Sequence, residues 1–338
     1  MPLNRDSFSA SAAAGLLVSA GLWLTAMPTQ ALERLDDGEM GVVTGQAGIT
    51  MELAARIDIG QVRYVDEAPL DFNQVRLSGH NGTMLDNLKL TLDVAGPGEV
   101  LDYGFSELAR RGDQGILDPN HWQVADAMNR YSVAGEFGRQ YNDGDLVIHL
   151  SPVDSGDPAS LNDYLNAVDF ELAIDSIVTG GQPTSTTMFE NILLQGYLGP
   201  TDIVVGNTDN SRVLPSGTLV QGAETHISSH FAITNGQLDW NVGNFAILFN
   251  FAAVGIEGLR LHNNRGDDML GHFGMAYAEA SISKGTSGTS GQDGLSIHNV
   301  DFRADLDIDR FKVGGHSIGS VYMTDINIQD ASFLVYGH

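Results

Sequence analysis

From residue 48 onward the chain alternates apolar and polar positions. Ile49, Met51, Leu53, Ala55, Ile57 and Ile59 share one side, and Thr50, Glu52, Arg56 and Asp58 the other. Leu88, Leu90, Leu92 and Val94 alternate with Lys89, Thr91 and Asp93. Val168, Phe170, Leu172 and Ile174 alternate with Asp169, Glu171 and Asp175, and Val300 to Ile308 repeats the pattern against Asp301, Arg303, Asp305 and Asp307. Period two over such lengths predicts strands with one face on a core and one in water. On that reading Phe170, Leu172, Phe302, Leu306 and Ile308 are buried, while Asp169, Glu171, Asp301 and Asp307 are solvated.

A second pattern interrupts the first. Val254 and Ile256 are followed, after two residues, by Leu259 and Leu261; Val321 and Met323 stand in the same relation to Ile326 and Ile328. The extra residue shifts the side-chain phase, as a bulge or corner does. Short segments recur: Gly45 to Met51 matches Gly291 to Ile297, and Ala167 to Asp175 resembles Asn299 to Asp307. The expected fold is all-β, an elongated, coiled or solenoid-like sheet with degenerate repeats and one or two short helices. A β-sandwich or β-barrel is the alternative arrangement.

Breaker-rich stretches at 95–98, 151–160, 179–186, 206–217 and 285–294 predict loops, the last a flexible connector. A helix is expected over Pro119 to Tyr131, capped by Asp118, with Trp122, Ala125 and Met128 as its apolar stripe. A second short helix fits within 101–112, and a weak subdivision is marked near residue 186.

Composition narrows the function classes. The 338 residues carry 43 acids against 17 bases, a net charge of −26, which speaks against nucleic acid as a partner. There is no cysteine, so disulfides, thiolate metal sites and cysteine nucleophiles are excluded. Arg5, the apolar stretch Ala12 to Ala26 and Thr29-Gln30-Ala31 read as a cleavable export signal over residues 1–31, followed by a β-rich exported region from 32 to 338. No later segment reaches the length of a membrane-spanning helix.

The segment after the leader runs Leu35-Asp36-Asp37-Gly38-Glu39-Met40, then Val43-Thr44-Gly45-Gln46-Ala47-Gly48-Ile49. This opening resembles that of the FilA-like pilus-system proteins of Gram-negative bacteria. The resemblance covers about fifteen residues. It implies an envelope or surface protein linked to pilus biogenesis, with a long β-rich region after the motif, and it carries no catalytic residues.

Candidate chemistry is sparse. His226 and His230 stand four apart in an extended segment, about 13 Å along a strand, too far to share one ion. Calcium is the better-motivated cofactor: Asp143 and Asp145 sit in a tight acidic turn, and Asp305 and Asp307 line one strand face. A solvated acidic face explains the same residues without a metal. Arg265-Gly266-Asp267 spells an adhesion tripeptide of the kind that arises by chance. The sequence therefore points to a non-enzymatic exported envelope protein, a structural or assembly component of a pilus, whose partners are other envelope or pilus proteins. Its expected location is the periplasm, the outer-membrane surface or the extracellular space. The alternatives are an outer-membrane β-barrel and a carbohydrate-active β-solenoid enzyme.

Overall fold

A computed structural model of the protein describes residues 48–65, 69–101, 106–133, 136–153, 167–180, 185–207, 210–241, 253–265 and 274–336. The expected export signal, and the opening motif up to Ala47, lie outside the described residues. The described chain is all-β apart from two short helices.

The sheet is an antiparallel meander of eight rows. β1 (Ile49–Ala55) and β2 (Ile57–Val65) form the first row end to end, and β3 (Pro69–Ser78) with β4 (Leu85–Val94) the second. The chain then makes a detour through β5 (Val100–Leu101), α1 (Ser106–Asp113), α2 (Trp122–Tyr131), β6 (Ser132–Val133), β7 (Glu136–Phe137) and β8 (Arg139–Gln140). The third row is β9 (Leu146–Pro152) and β10 (Val168–Thr179). The fourth is β11 (Thr186–Val205). A small strand, β12 (Asn210–Val213), leads to the fifth row, β13 (Leu219–Asn241). β14 (Ala253–His262) and β15 (Ala276–Thr286) share the sixth row, and β16 (Asp293–Val313) and β17 (His316–Val335) are the seventh and eighth.

Each row pairs antiparallel with the rows next to it in sequence. A twenty-residue row such as β17 extends for about 65 Å, long for a soluble sheet. No pairing among the described residues joins the β1/β2 edge to the β17 edge, so the sheet is open.

Directly registered residues point to the same side of a sheet, and the two faces can be followed from row to row. One line of register runs Ile49, Leu92, Ile148, Ile203, Ile227, Ala280. The adjacent line, on the opposite face, runs Thr50, Thr91, His149, Asp202, Ser228, Glu279, Asp301. At the other end of the rows the same division recurs. Val62, Phe72, Ile177, Phe189, Trp240, Val254 and Val313 form an apolar line, beside Gln61, Asn73, Ser176, Glu190, Asp239, Gly255, Lys312 and Ser317.

The turn at 285–294 is a closed hairpin rather than the flexible connector expected. Ser287 N–H donates to Gln292 O at 2.9 Å, and Thr286 Oγ1 donates to Asp293 at 2.6 Å. The expected helix begins later than Pro119, because Asp118 is used in a side-chain turn, accepting Asn120 N–H at 2.9 Å. Its buried stripe is Val124, Ala127 and Tyr131 with Met128 beside them, whereas Ala125 faces solvent. These residues pack on Leu108, Ala109 and Leu117. A Cβ on Gly112 would lie 2.5 Å from Val124 Cγ1, so the missing side chain is what lets the helices approach.

The face assignment is reversed where the acids are concentrated. Glu171 and Asp307 are each 6 % exposed and Asp305 is fully buried, while Phe170, Leu172, Phe302 and Leu306 remain half-buried. Of the five apolar residues expected in the core, only Ile308 is buried. Alternation identifies two faces, but what packs on each decides which is inside: Asn81 and Gln195 bond Glu171, and His262 and Arg265 close over Asp305 and Asp307, while the helical detour reaches the same face at Asp202 and Glu279.

Candidate interaction surface

The polar face is organised by its cover. Arg130, near the end of α2, bonds Asp126 at 2.9 Å and contacts Glu279 on β15, which also accepts a bond from Tyr277 Oη. The next residue, Tyr131, donates its hydroxyl to Asp202 at 2.7 Å, and His149 Nδ1 meets the other oxygen of Asp202 at 2.5 Å. Burial opposes the charge of Asp202, but bonds from His149 and Tyr131 outweigh it and hold the carboxyl below its ordinary range. Glu279 is likewise held low against burial by Arg130 and Tyr277. Below them His230 packs its ring on Tyr277 at 4.7 Å and is kept neutral, its pKa lowered to about 3 by burial and by the charge of Arg130. Val147 and Val204, on this same face, are sealed by Ala95 and Tyr141 from the detour.

Buried carboxylates have a second, repeated task. Several residues adopt a left-handed backbone, among them Asn81 in the turn between β3 and β4 and Asp325 and Asp330 inside β17. The freed amide of each is taken by an acid on the neighbouring row: Asn81 N–H by Glu171 at 3.0 Å, Asp325 N–H by Asp305 at 3.0 Å, and Asp330 N–H by Asp301 at 3.0 Å. Asp169 accepts His80 N–H at 2.8 Å. The similar segments Ala167–Asp175 and Asn299–Asp307 thus place Asp169 and Asp301 in equivalent roles. Asp305 also receives Arg265 N–H at 2.9 Å. Asp307 is bonded by the Arg265 guanidinium and by His262 Nε2 at 3.2 Å, which together lower its pKa despite burial.

Three of the four calcium candidates, Asp145, Asp305 and Asp307, have their carboxylates bonded to protein donors. Asp145 is buried and accepts Asn142 N–H at 2.9 Å and Asn207 N–H at 2.8 Å, while Asp143 supplies its backbone carbonyl to Asn207. Asp305 and Asp307 lie together but face Arg265 and His262, which corrects the solvated-face expectation for both. Arg265 is held by this cluster, and Gly266 and Asp267 of the adhesion tripeptide lie outside the described residues. Among the described residues no group of three or more His, Cys, Asp or Glu side chains is arranged to hold a metal ion. His226 and His230 lie on β13 as expected; His226 pairs with Glu279 at 3.2 Å.

Sequence reasoning missed the network of Arg130, Tyr131, His149, Asp202 and Glu279. A signal was present. Polar positions of a solvated strand favour long charged side chains, yet here they carry Ser151, Ser228, Ser281, Ser296, His149, His230 and His298, all buried. Short hydroxyls and imidazoles at the polar period mark an inward polar face.

Three features remain facing outward. On the apolar face Trp240 is 46 % exposed and stacks on Phe189 at 6.1 Å; Ile49, Met51, Met323, Ile328 and Phe333 are also exposed. These exposed apolar side chains on β1, β13 and β17 are candidate contact positions. Two clefts lie across the strands, where Gln74, Asn191 and Gly258 take left-handed backbone. One, of about 560 Å³, is lined by Asp58, Gln74, Arg76 and Asn191; the other, of about 460 Å³, by Asn235, Glu257 and Arg310. The third feature is the pair of edges that have no strand partner among the described residues. β17 is exposed along most of its length, as is β1.

No helix among the described residues is long and apolar enough to cross a membrane. Comparison with curated proteins and with solved structures found no match. Residues 11–96, which contain the first two rows of the sheet, match the model of a family of unknown function (DUF6160).

Proposed function

We propose that this protein is a non-enzymatic, exported component of the cell envelope or surface, a structural or assembly part of a pilus system of the kind its opening motif resembles. The observation that carries the reading is the outward apolar face of an open eight-row sheet, with both edges unpaired among the described residues. Such a surface serves partner contacts; a polar face that is buried and internally bonded serves to hold it in shape. The net charge of −26 keeps an exported chain soluble and steers it toward basic partners. Proteins of the envelope or pilus are the partners proposed, in the periplasm, at the outer surface or outside the cell.

Deleting the gene is expected to alter piliation, adhesion or surface attachment while growth on defined carbon sources stays unchanged. An unaltered surface phenotype with loss of growth on one polysaccharide would overturn the reading in favour of a carbohydrate-active enzyme. A second reading, an outer-membrane barrel, is favoured by one observation: the polar face is the buried one and the apolar face looks outward. Extraction separates the two. Salt or urea releases a peripheral surface protein, whereas release by detergent alone supports the barrel.

A further inference from the structure

We infer that copies of this chain join edge to edge, the β17 edge of one pairing with the β1/β2 edge of the next to continue the sheet. The inference rests on the reading above only in treating the sheet as a contact surface, and it names the partner as a second copy.

Direction is the first support. Consecutive rows run antiparallel throughout, and eight is an even number, so the β1/β2 row and β17 point opposite ways. Shifting a second copy sideways, without turning it, therefore sets β17 beside β1/β2 in antiparallel sense, the stronger ladder. Side-chain faces are the second. Met51 and Ile328 are the two ends of one line of register, through Leu90, Leu150, Thr201, Ser229, Ala278 and Phe302. Gln61 and Ser317 are the two ends of another. The added copy consequently meets apolar with apolar and polar with polar, so no row is turned inside out.

Edge chemistry is the third support. Natural sheets guard their edges with Lys, Pro, short strands or bulges, and of these the two edges here carry bulges, between Leu53 and Ala55 in the first row and at Asp325 and Asp330 in β17. Neither Ile49–Val65 nor His316–Val335 contains Lys or Pro, and both rows are long. The first edge is charge-balanced, Arg56 and Arg63 against Glu52 and Asp58, whereas β17 carries Asp325 and Asp330 with no Lys or Arg. Two β17 edges placed together would bring only acids face to face. Closure within one chain would instead require edges seven row spacings apart, about 34 Å along the sheet, to meet.

The natural absence of cysteine makes the test direct. The full chain is exported with Gln61→Cys and Ser317→Cys together, and with each singly, then treated with a short bis-maleimide. Edge-to-edge pairing gives the double variant a ladder of dimers, trimers and higher species on denaturing gels. A mixture of the two single variants gives dimers only, and each single variant alone stays monomeric. A double variant bridged only within the monomer overturns the inference in favour of closure, and dimers from Ser317→Cys alone overturn it in favour of like edges. Sedimentation of the unsubstituted protein is the independent check. Its average mass should rise with concentration, and a monomer up to about 100 µM would overturn the inference while leaving the deletion phenotype to decide the cellular role.

Discussion

His230 shows how far the interior departs from the solvated face that its sequence neighbourhood suggests. Its ring is 5 % exposed on β13, against Tyr277 and close to the charge of Arg130. Burial first, and Arg130 second, lower its pKa to about 3, with Asp202 working the other way. In the unfolded chain the group titrates near 6.5. The unfolded state therefore binds a proton that the folded state refuses, and stability falls as the pH drops from about 6.5 toward 3. The slope from this one group is about 1.4 kcal/mol per pH unit. Asp202, held low, adds its own loss once the pH falls below about 3.9, where the unfolded chain takes up a proton that the folded carboxylate does not. Urea unfolding between pH 7 and 4 should show a shallower fall for His230→Gln than for the parent. Part of the slope will persist, because burial also lowers His226. Identical profiles for parent and variant would show that His230 does not carry the effect.

At the scale of elements the governing device is the bulge tied down by an acid from the next row. Removing the carboxylate of Asp305 leaves Asp325 N–H and Arg265 N–H without their acceptor, inside a fully buried site. Asp305→Ala should cost about 3–5 kcal/mol. Asp309→Ala removes the partner of Arg260 at a side chain 46 % exposed and should cost under about 1 kcal/mol. Equal losses in thermal unfolding would refute the distinction. The positions of two bulges were legible in the sequence: the apolar phase slips between Ile256 and Leu259 and between Met323 and Ile326, and the left-handed residues are Gly258 and Asp325. The all-β class and the two helices were legible for the same reason, since period and breakers are local, whereas the joining of short alternating runs into rows of twenty residues was not. Inside and outside were not. They depend on what closes over the polar face: Arg130 and Tyr131 of α2 at Glu279 and Asp202, and His262 and Arg265 at Asp305 and Asp307, relations between distant segments that no local pattern encodes. Nor was the role of Asp305 legible, because its main partners, Arg265 and Asp325, are 40 and 20 residues away.

Across the whole molecule, Trp240 reports on the outward face. Trp122→Phe leaves Trp240 as the one indole after the expected leader, since the third tryptophan is Trp23. At 46 % exposure its emission should resemble that of a wet indole in dilute solution. Contact of the apolar face with detergent micelles, envelope vesicles or a partner should shift it to the blue and protect it from an aqueous quencher. An indole that stays wet in native envelopes would show that this face is not the one in contact.

The meander has a further consequence for how such a chain can change length. Because every row is flanked by its sequence neighbours, gain or loss of a complete hairpin preserves both the alternation of direction and the assignment of faces. Gain or loss of a single row reverses every row downstream of it. Evolutionary drift in a fold of this kind is thus quantised in hairpins, each about forty residues, taking β16 and β17 at 21 and 20 residues as the measure.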